Sequence, residues 1–347
     1  MSGNELSDFG GSLHVLLDVA DGCVQDVTVH SSRPQHAAHV LLGRSPEDAI
    51  MMLSRLFSLC GRAQTIAGLK AIEQAQGIIL SVPNRAARTV LRIAEMLSQT
   101  ALRLCLDWAR LLGLAPNPTL AKACLAAEAS FEHDLYGAAN WKVPGGLSFS
   151  PNVDAIRNKS NELARLIDTL FVYDGFADQM RHALGRLKLE GFGALGTAMK
   201  PEDGAFSRQW ATSHVDTARQ NHGAGLLARL ESRLTELTTL PKDILTAVEG
   251  LMSSDSQTQQ SCLIGTGTAC VDTARGKLTH TVSLKDGIIS AYEVEAPTDE
   301  NFAQNGPVAA GLMRVDAKDT NALKHAAELH VLAIDPCVKC VVEVRHA

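Results

Sequence analysis

The sequence is poor in aromatic residues and has no long apolar run. Phe, Trp and Tyr make up only 4% of the 347 residues, whereas hydrophobic residues as a whole make up 46%. The predicted core therefore consists mainly of Leu, Ala, Val and Ile, a mixture that favours helices. No stretch of about 20 apolar residues is present that could span a bilayer. The opening segment, MSGNELSDFGG, lacks the basic and apolar parts of a secretory signal.

The sequence also has no strong excess of either charge and few cysteines for its length. There are 32 Lys and Arg against 38 Asp and Glu, which gives a formal net charge of -6, and both signs are dispersed. This balance argues against nucleic-acid and membrane partners. Eight cysteines are too few for a disulfide scaffold in a chain of this length. We therefore expect reduced thiols and a cytoplasmic location.

Two hairpins are predicted near the ends of the chain. Residues 13–30 form two alternating apolar runs joined at Asp21-Gly22, and residues 276–297 repeat this pattern around Asp286-Gly287. Asp-Gly is a strong hairpin signal because glycine tolerates a positive φ. We expect the two hairpins to share one small antiparallel sheet.

Between the hairpins the chain is predicted to be helical. Ser45 is the expected N-cap of a helix with Pro46 at its first position, and Gly61 interrupts the following helical pattern directly after Cys60. An apolar stripe marks a later helix, formed by Val90, Ile93, Leu97 and Leu104. The polar stretches 200–216 and 252–261 are predicted to be surface loops.

The predicted fold class is α+β, mainly a helical bundle with a small antiparallel sheet from the N- and C-terminal hairpins. We expect a single domain over residues 1–347. Its parts are an N-terminal hairpin at about 11–31, a helical body at about 45–250, and a C-terminal hairpin with a cysteine motif at about 262–347.

Three cysteines have the spacing or position of metal ligands. Cys337 and Cys340 form a C-x-x-C motif, and Cys60 lies at the helix interruption. Thiolates suit iron, nickel and zinc, and His346 could complete a Cys3His zinc site, so the spacing alone leaves the metal open. A C-x-x-C can also be incidental, and no βαβ pattern supports a thioredoxin-like role. The other five cysteines are expected to be structural, and a buried position is expected for Cys270.

Four segments resemble the large subunit of nickel-iron hydrogenases, in the same order along the chain. They are LLGRSPEDA, LCGRAQTIAGLKAIEQA, GTGTACVDTARGKLTH with the following hairpin, and IDPCVKCVVEVRH. The resemblance covers nearly the whole chain and implies a large-subunit-like fold. In that family, four thiolates hold nickel and iron, and the second cysteine of each motif bridges the two metals. Arg275 matches the arginine that lies over the metal pocket.

Departures from the family pattern argue against a working nickel-iron centre. Ala63 stands where the upstream bridging cysteine belongs, and Ala38 stands near the position of the glutamate that relays protons. Glu343 occupies the position of the downstream histidine, and His346 comes three residues later. Nickel is therefore not expected, and no catalytic residue is expected either.

The pattern is similar to that of HupK/HoxV-type accessory proteins, which implies a non-catalytic scaffold for assembly and transfer of the Fe(CN)2CO unit. The implied ligands are Cys60, Cys337, Cys340 and His346, with Arg275 binding a cyanide. The implied partners are a HypC-type chaperone, an iron-binding HypD-type protein and the target hydrogenase large subunit. Because the sequence ends seven residues after Cys340, removal of a C-terminal extension is not expected.

Two alternatives stay open at this point. One is a divergent hydrogenase large subunit with redox activity, in which Glu343 would serve as an unusual ligand or proton carrier. The other is a structural zinc site or a metal-free interaction module. The three hypotheses differ in the metal they predict: a transient iron unit, bound nickel, or one zinc per chain or none.

Overall fold

The computed structural model describes residues 11–34, 37–195, 202–255, 257–262 and 265–346. The first ten residues, which carry most of the sequence argument against a secretory signal, lie outside this part, and so does Ala347. No helix within the described part combines the length and the apolar character that a bilayer crossing requires.

Helices fill most of the chain between the two hairpins, as predicted. The α-helices of the described residues are α1 (Pro46–Leu56), α2 (Gly61–Gln76), α3 (Val82–Leu102), α4 (Ala109–Leu111), α5 (Pro118–Tyr136), α6 (Val153–Asp168), α7 (Phe176–Leu187), α8 (Ala205–Arg208), α9 (Ser213–His222), α10 (Leu226–Glu249), α11 (Pro297–Asn301), α12 (Pro307–Leu312) and α13 (Thr320–Ile334). A π-helical segment, Arg103–Trp108, joins α3 to α4 without a break. Such segments often mark functional sites.

Strands form three small sheets. The strands are β1 (Ser12–Ala20), β2 (Cys23–Ser31), β3 (Ile78–Ile79), β4 (Gln259–Gln260), β5 (Thr266–Thr273), β6 (Gly276–Lys285), β7 (Ile288–Glu295) and β8 (Lys339–His346). One sheet has the order β2-β1-β8, a second pairs β3 with β4, and the third has the order β5-β6-β7. The last strand, β8, runs parallel to β1 with Cys340 opposite Leu13.

The prediction that both hairpins share one sheet is wrong. The β1–β2 hairpin packs its apolar face on a core formed with α12 and α13, whereas β5–β7 packs on the larger helical core beside α2. The sheet partner of β1 is instead β8, whose Val342 is buried in the same core as Val15. Local turn chemistry determined the hairpins correctly, but the choice of sheet depends on which apolar face each hairpin can cover.

Several local predictions are confirmed. Both Asp-Gly turns have positive φ at the two central residues, as a type I′ hairpin requires. Ser45 caps α1 by accepting a hydrogen bond from the Asp48 N–H at 3.1 Å. An interruption of the helical path near Cys60 is present, but it is the 3-10 turn Ser58–Cys60, and the predicted breaker Gly61 is instead the first residue of α2. The predicted apolar stripe, Val90, Ile93, Leu97 and Leu104, is buried.

Two other predictions are corrected. In the stretch 200–216, described from residue 202 onward, Glu202 and Phe206 are buried, so this segment is not simply a surface loop. Its charge is hidden because Glu202 forms a buried ion pair with Arg229, at 2.6 Å between Oε1 and Nε. Cys270 is exposed, because β5 alternates and directs Val271 toward α2 instead.

Candidate functional site

Cys60 lies at the N-terminus of α2, where the 3-10 turn holds its backbone outside the helix. The carbonyl of Leu59 accepts a hydrogen bond from Gln99 Nε2. Gln64 Nε2 lies 3.8 Å from the Cys60 Sγ and donates to it. Burial, together with Glu95 and Cys337, raises the pKa of Cys60 to about 12, against the lowering effect of Arg275. The thiol is therefore protonated at neutral pH, and its sulfur lies within electrostatic range of Cys337 and Arg275.

Cys337 lies in the turn that follows α13. The helix ends at Asp335, which has a left-handed φ of 66°, and Pro336 then prevents the helix from continuing. The backbone N–H of Cys337 donates to Thr298 Oγ1 at 3.3 Å, and Arg103 Nη2 donates to the Pro336 carbonyl at 3.3 Å. The cysteine turn is thus fixed by hydrogen bonds from two other parts of the fold.

Three arginines surround the buried carboxylate of Asp335. Arg103 Nε lies 2.7 Å from Oδ1, Arg275 Nη2 lies 3.5 Å from Oδ1, and Arg233 Nη1 lies 3.5 Å from Oδ2. Burial by itself would raise the pKa of Asp335, but the three guanidinium groups outweigh it and hold the pKa below its usual value. Arg103 also pairs with Asp107 at 2.7 Å, so three positive charges against two carboxylates leave a local excess of one beside Cys337.

Arg275 faces this cluster with unused hydrogen-bonding capacity. Its Nη1 donates to Gln99 Oε1, and its side chain is only 3% exposed. Its Nε is buried and has no hydrogen-bond partner in the described part of the chain. A buried donor without a partner costs free energy, so this group is suited to an acceptor that arrives with a ligand.

A polar stripe on α3 and its π-helical extension forms hydrogen bonds with the residues around Cys60, Arg275 and Asp335. Glu95 accepts the backbone N–H groups of Arg62 and Ala63, at 2.8 and 3.0 Å. Gln99 binds the turn before Cys60 and also Arg275, and Arg103 binds Asp335. These three residues are spaced four apart and lie on one helical face. These three residues were not predicted from the sequence, although polar residues spaced four apart beside an apolar stripe indicate a polar face of a helix.

A buried polar chain continues from Cys60 to the third sheet. Gln64 Oε1 lies 2.8 Å from His280 Nε2, and His280 Nδ1 lies 2.8 Å from the Tyr292 hydroxyl. Burial lowers the pKa of His280 to about 3, so the ring is neutral. These hydrogen bonds therefore fix the orientation of the Gln64 side chain, whose amide contacts the Cys60 sulfur.

The Cys60 thiol interacts electrostatically with Cys337 and Arg275, but no contact in the described part of the chain joins it to Cys340 or His346. Cys340 lies on β8 and packs against the second core, where burial raises its pKa to about 12. It lines a cleft of about 580 Å³ together with Cys337, but Cys60 does not line this cleft. Among the described residues, no three Cys, His, Asp or Glu side chains lie close enough to hold a metal ion.

The C-terminal residues of β8 lie away from the cysteine turn. His346 Nε2 is 3.0 Å from Thr320 Oγ1 at the far end of the strand, about 20 Å from Cys340 at the usual strand rise. Glu343 is exposed and pairs with Arg345 at 2.9 Å. Neither side chain contributes to the site around Cys60 and Cys337.

Comparison with known proteins decides the family. No model of a protein family matches the chain. The hydrogenase expression/formation protein HupK of Azotobacter vinelandii is 30% identical, over 97% of this chain and 99% of that protein. The chain belongs to the HupK family. The expression/formation protein HupV of Azotobacter chroococcum mcd 1 is 29% identical over the same shares. HoxV of Cupriavidus necator is 23% identical over 91% of this chain and 92% of that protein.

The similarity to solved structures confirms the predicted fold of this HupK-family chain. The structure of the Ni-Fe-Se hydrogenase from D. vulgaris Hildenborough in the reduced state matches with a TM-score of 0.73. The match covers 92% of this chain and 94% of the hydrogenase chain at 15% sequence identity. The α+β, hydrogenase large-subunit-like fold is therefore present, and the names of the relatives support a role in hydrogenase maturation.

Proposed function

We propose that this chain is a non-catalytic, cytoplasmic scaffold that receives an Fe(CN)2CO unit during hydrogenase maturation and passes it to a hydrogenase large subunit. Cys60 and Cys337 would hold the iron, and Arg275 would donate to a cyanide nitrogen. The observation that carries the proposal is the electrostatic interaction of the Cys60 thiol with Cys337 and with Arg275, whose buried Nε has no partner among the described residues. A charge-assisted hydrogen bond of this kind contributes roughly 1.5–3 kcal/mol.

The charge of the site suits this cargo. A ferrous ion with two cyanides and one carbonyl has no net charge, so two thiolates bring the loaded site to −2. The three arginines around Asp335, less the charges of Asp335 and of Asp107, which pairs with Arg103, supply an excess of +1. Without cargo, burial keeps Cys60 protonated, so loading must release its proton. The positive surroundings therefore offset part of the negative charge that the two thiolates bring.

The residues that replace the hydrogenase ligands support a non-catalytic role. Ala63 is buried and its backbone N–H is held by Glu95, so the position of the bridging thiolate is filled by a methyl group. Ala38 is also buried, and an alanine cannot relay protons. Glu343, the ligand or proton carrier of the divergent-hydrogenase hypothesis, is paired with Arg345 at the surface. A two-thiolate grip is weaker than four thiolates, which suits a carrier that releases its load.

The implied partners follow from the same proposal. A HypC-type chaperone and an iron-binding HypD-type protein would deliver the unit, and a hydrogenase large subunit would accept it. Cys340 packs against the second core, although it also lines the cleft beside Cys337. We therefore assign it a smaller contribution than Cys337. His346, which bonds Thr320, is assigned none.

Infrared spectroscopy tests the proposal. Protein co-expressed with the maturation machinery and purified without oxygen should show cyanide and carbonyl stretching bands. Cys337→Ala and Cys60→Ala should remove these bands, and Cys340→Ala should only reduce them. Cys262→Ala is the matched control, because this cysteine is exposed and lies outside the site. Wild-type protein without the bands, or bands that survive Cys337→Ala, would contradict the proposal.

A further inference from the structure

A second concave site lies at the opposite end of α2 from Cys60. It is a cleft of about 520 Å³ between the C-terminal half of α2, the first turns of α3 and strands β3 and β5. This volume falls within the range of about 300–1,000 Å³ that is usual for small-molecule sites. Its apolar wall is formed by Ile66, Ile78, Ile79, Leu80 and Val271.

Positive charge dominates the polar lining of the cleft. Lys70, Arg85, Arg88 and Arg92 line it, and Glu73 is the one acidic residue among the lining residues. Glu73 is already satisfied: Oε2 accepts from Arg88 Nη1 at 2.8 Å, and Oε1 accepts from a backbone N–H at 2.9 Å. The cleft therefore has a net charge of +3 in a chain whose formal net charge is -6.

Three of these cations form no ion pair in the described part of the chain. The hydrogen bonds of Arg85 and Arg92 go to neutral groups: Arg85 Nη1 donates to the Leu80 carbonyl, and Arg92 Nη1 donates to the backbone carbonyl of Asp272 at 3.0 Å. Lys70 is exposed at the mouth of the cleft and forms neither a hydrogen bond nor an ion pair with the described residues. Partial burial and the charge of Arg92 lower the pKa of Lys70. Burial also lowers the pKa of Arg92, although the nearby carboxylates of Asp272, Asp243 and Glu236 act in the opposite direction. The cleft thus brings several positive side chains close together, and a bound anion would reduce the repulsion between them.

The arrangement is built by the helices. Arg85, Arg88 and Arg92 are spaced three and four apart, so they lie on one face of α3. Lys70 comes from α2 on the other side of the cleft. Guanidinium groups match phosphate oxygens with two parallel hydrogen bonds, and lysine adds a mobile positive charge. The isoleucine side chains opposite provide a surface for an apolar ring.

We infer that this cleft binds a small organic phosphate of nucleotide size, with its phosphates between Lys70, Arg85 and Arg92 and its ring system against Ile78 and Ile79. Lys70 lies ten residues from Cys60, about 15 Å along α2 at 1.5 Å per helical residue. The cleft is therefore separate from the proposed iron site, and the result of either experiment leaves the other proposal unaffected.

Calorimetric titration of the full chain tests this inference, with ADP, pyrophosphate and adenosine as probes. We expect ADP to bind at least about tenfold more tightly than adenosine, and its affinity to fall between 50 and 200 mM salt because exposed charges are screened. Lys70→Gln and Arg92→Gln should each weaken ADP binding roughly tenfold, since each removes a charged hydrogen-bond donor. Ile79→Ser, at an exposed position, should weaken ADP but not pyrophosphate.

Lys122→Gln is the matched control, because this lysine is exposed on α5 and does not line the cleft. Circular dichroism verifies that each variant is folded before titration. The inference is overturned if neither ADP nor pyrophosphate binds at millimolar concentration, or if adenosine binds as tightly as ADP. An equal loss in Lys122→Gln, or displacement of ADP only by acidic peptides and not by pyrophosphate, also overturns it.

Discussion

At the scale of single residues, the buried carboxylate of Asp335 connects the cysteine turn to the rest of the molecule. Arg103 reaches it from the π-helical segment, Arg233 from α10, and Arg275 from the β5–β6 turn. Arg233 also donates to the Ala333 carbonyl at 3.0 Å, which satisfies a free carbonyl at the end of α13. One acidic residue thereby orders four segments around Cys337.

Asp335→Asn is expected to destabilise the chain. The substitution removes the ion-pair partner of the buried Arg233 and Arg275, whereas Arg103 keeps Asp107. Breaking a buried ion pair in this way costs about 3–5 kcal/mol. Urea unfolding would measure the change in the free energy of unfolding. Because the pKa of Asp335 is held below its usual value, its contribution is present at neutral pH and is lost as the pH falls below about 4.

Asp107→Asn is the matched control for this prediction. Asp107 binds the same Arg103, at 2.7 Å, but its side chain is 32% exposed. An ion pair of this kind contributes about 0–1 kcal/mol. Equal losses of stability in Asp107→Asn and Asp335→Asn would show that the buried cluster has no special importance.

At the scale of helices and strands, Glu95 of α3 caps the N-terminus of α2. Its two oxygens accept the first free N–H groups of that helix. Burial raises its pKa to about 7, although the two backbone hydrogen bonds act in the opposite direction. A carboxyl whose pKa is raised in the folded state stabilises the fold below its unfolded pKa of about 4.5, and this stabilisation is lost as the pH rises through about 7.

Glu95→Gln should therefore flatten the pH dependence of stability. From pH 5 to 8, the wild-type free energy of unfolding should include a decrease of up to about 3 kcal/mol from this group, at 1.36 kcal/mol per pKa unit. In Glu95→Gln that decrease should disappear. Glu47→Gln, at an exposed position in the first turn of α1, should retain the wild-type slope. A wild-type slope in Glu95→Gln would refute the assignment.

The sequence predicts the secondary-structure elements better than it predicts their partners. Asp-Gly turns and the Ser45 cap depend on neighbouring residues only, so they could be predicted locally. The parallel pairing of β1 with β8 joins residues more than 300 positions apart, and no local pattern encodes it. The candidate site, too, could be predicted from local patterns only in part. The C-x-x-C spacing and the family resemblance pointed to Cys337 and Cys60 as candidate ligands, whereas the contribution of Glu95 and its neighbours depends on which face of α3 meets α2.

At the scale of the whole molecule, the chain has a hydrogenase-like fold at low sequence identity. The structural match extends over 92% of the chain at only 15% identity. Such a match is possible because cores tolerate extensive apolar exchange if volume and pattern are kept. The cysteine turn of this chain is fixed by Arg103, Arg233 and Thr298, none of which requires a metal.

The last prediction is that the folded chain does not depend on zinc. Dialysis against a strong chelator should leave the midpoint of thermal unfolding within about 2 °C of the untreated value, since contacts between protein groups hold each cysteine segment. A structural zinc site behaves differently, because its binding free energy is folding free energy and chelation unfolds it. Metal analysis combined with calorimetry makes the distinction, with the Cys340→Ala variant as a parallel sample. One zinc per chain, together with a large fall in the midpoint after chelation and in that variant, would instead identify a zinc-stabilised module.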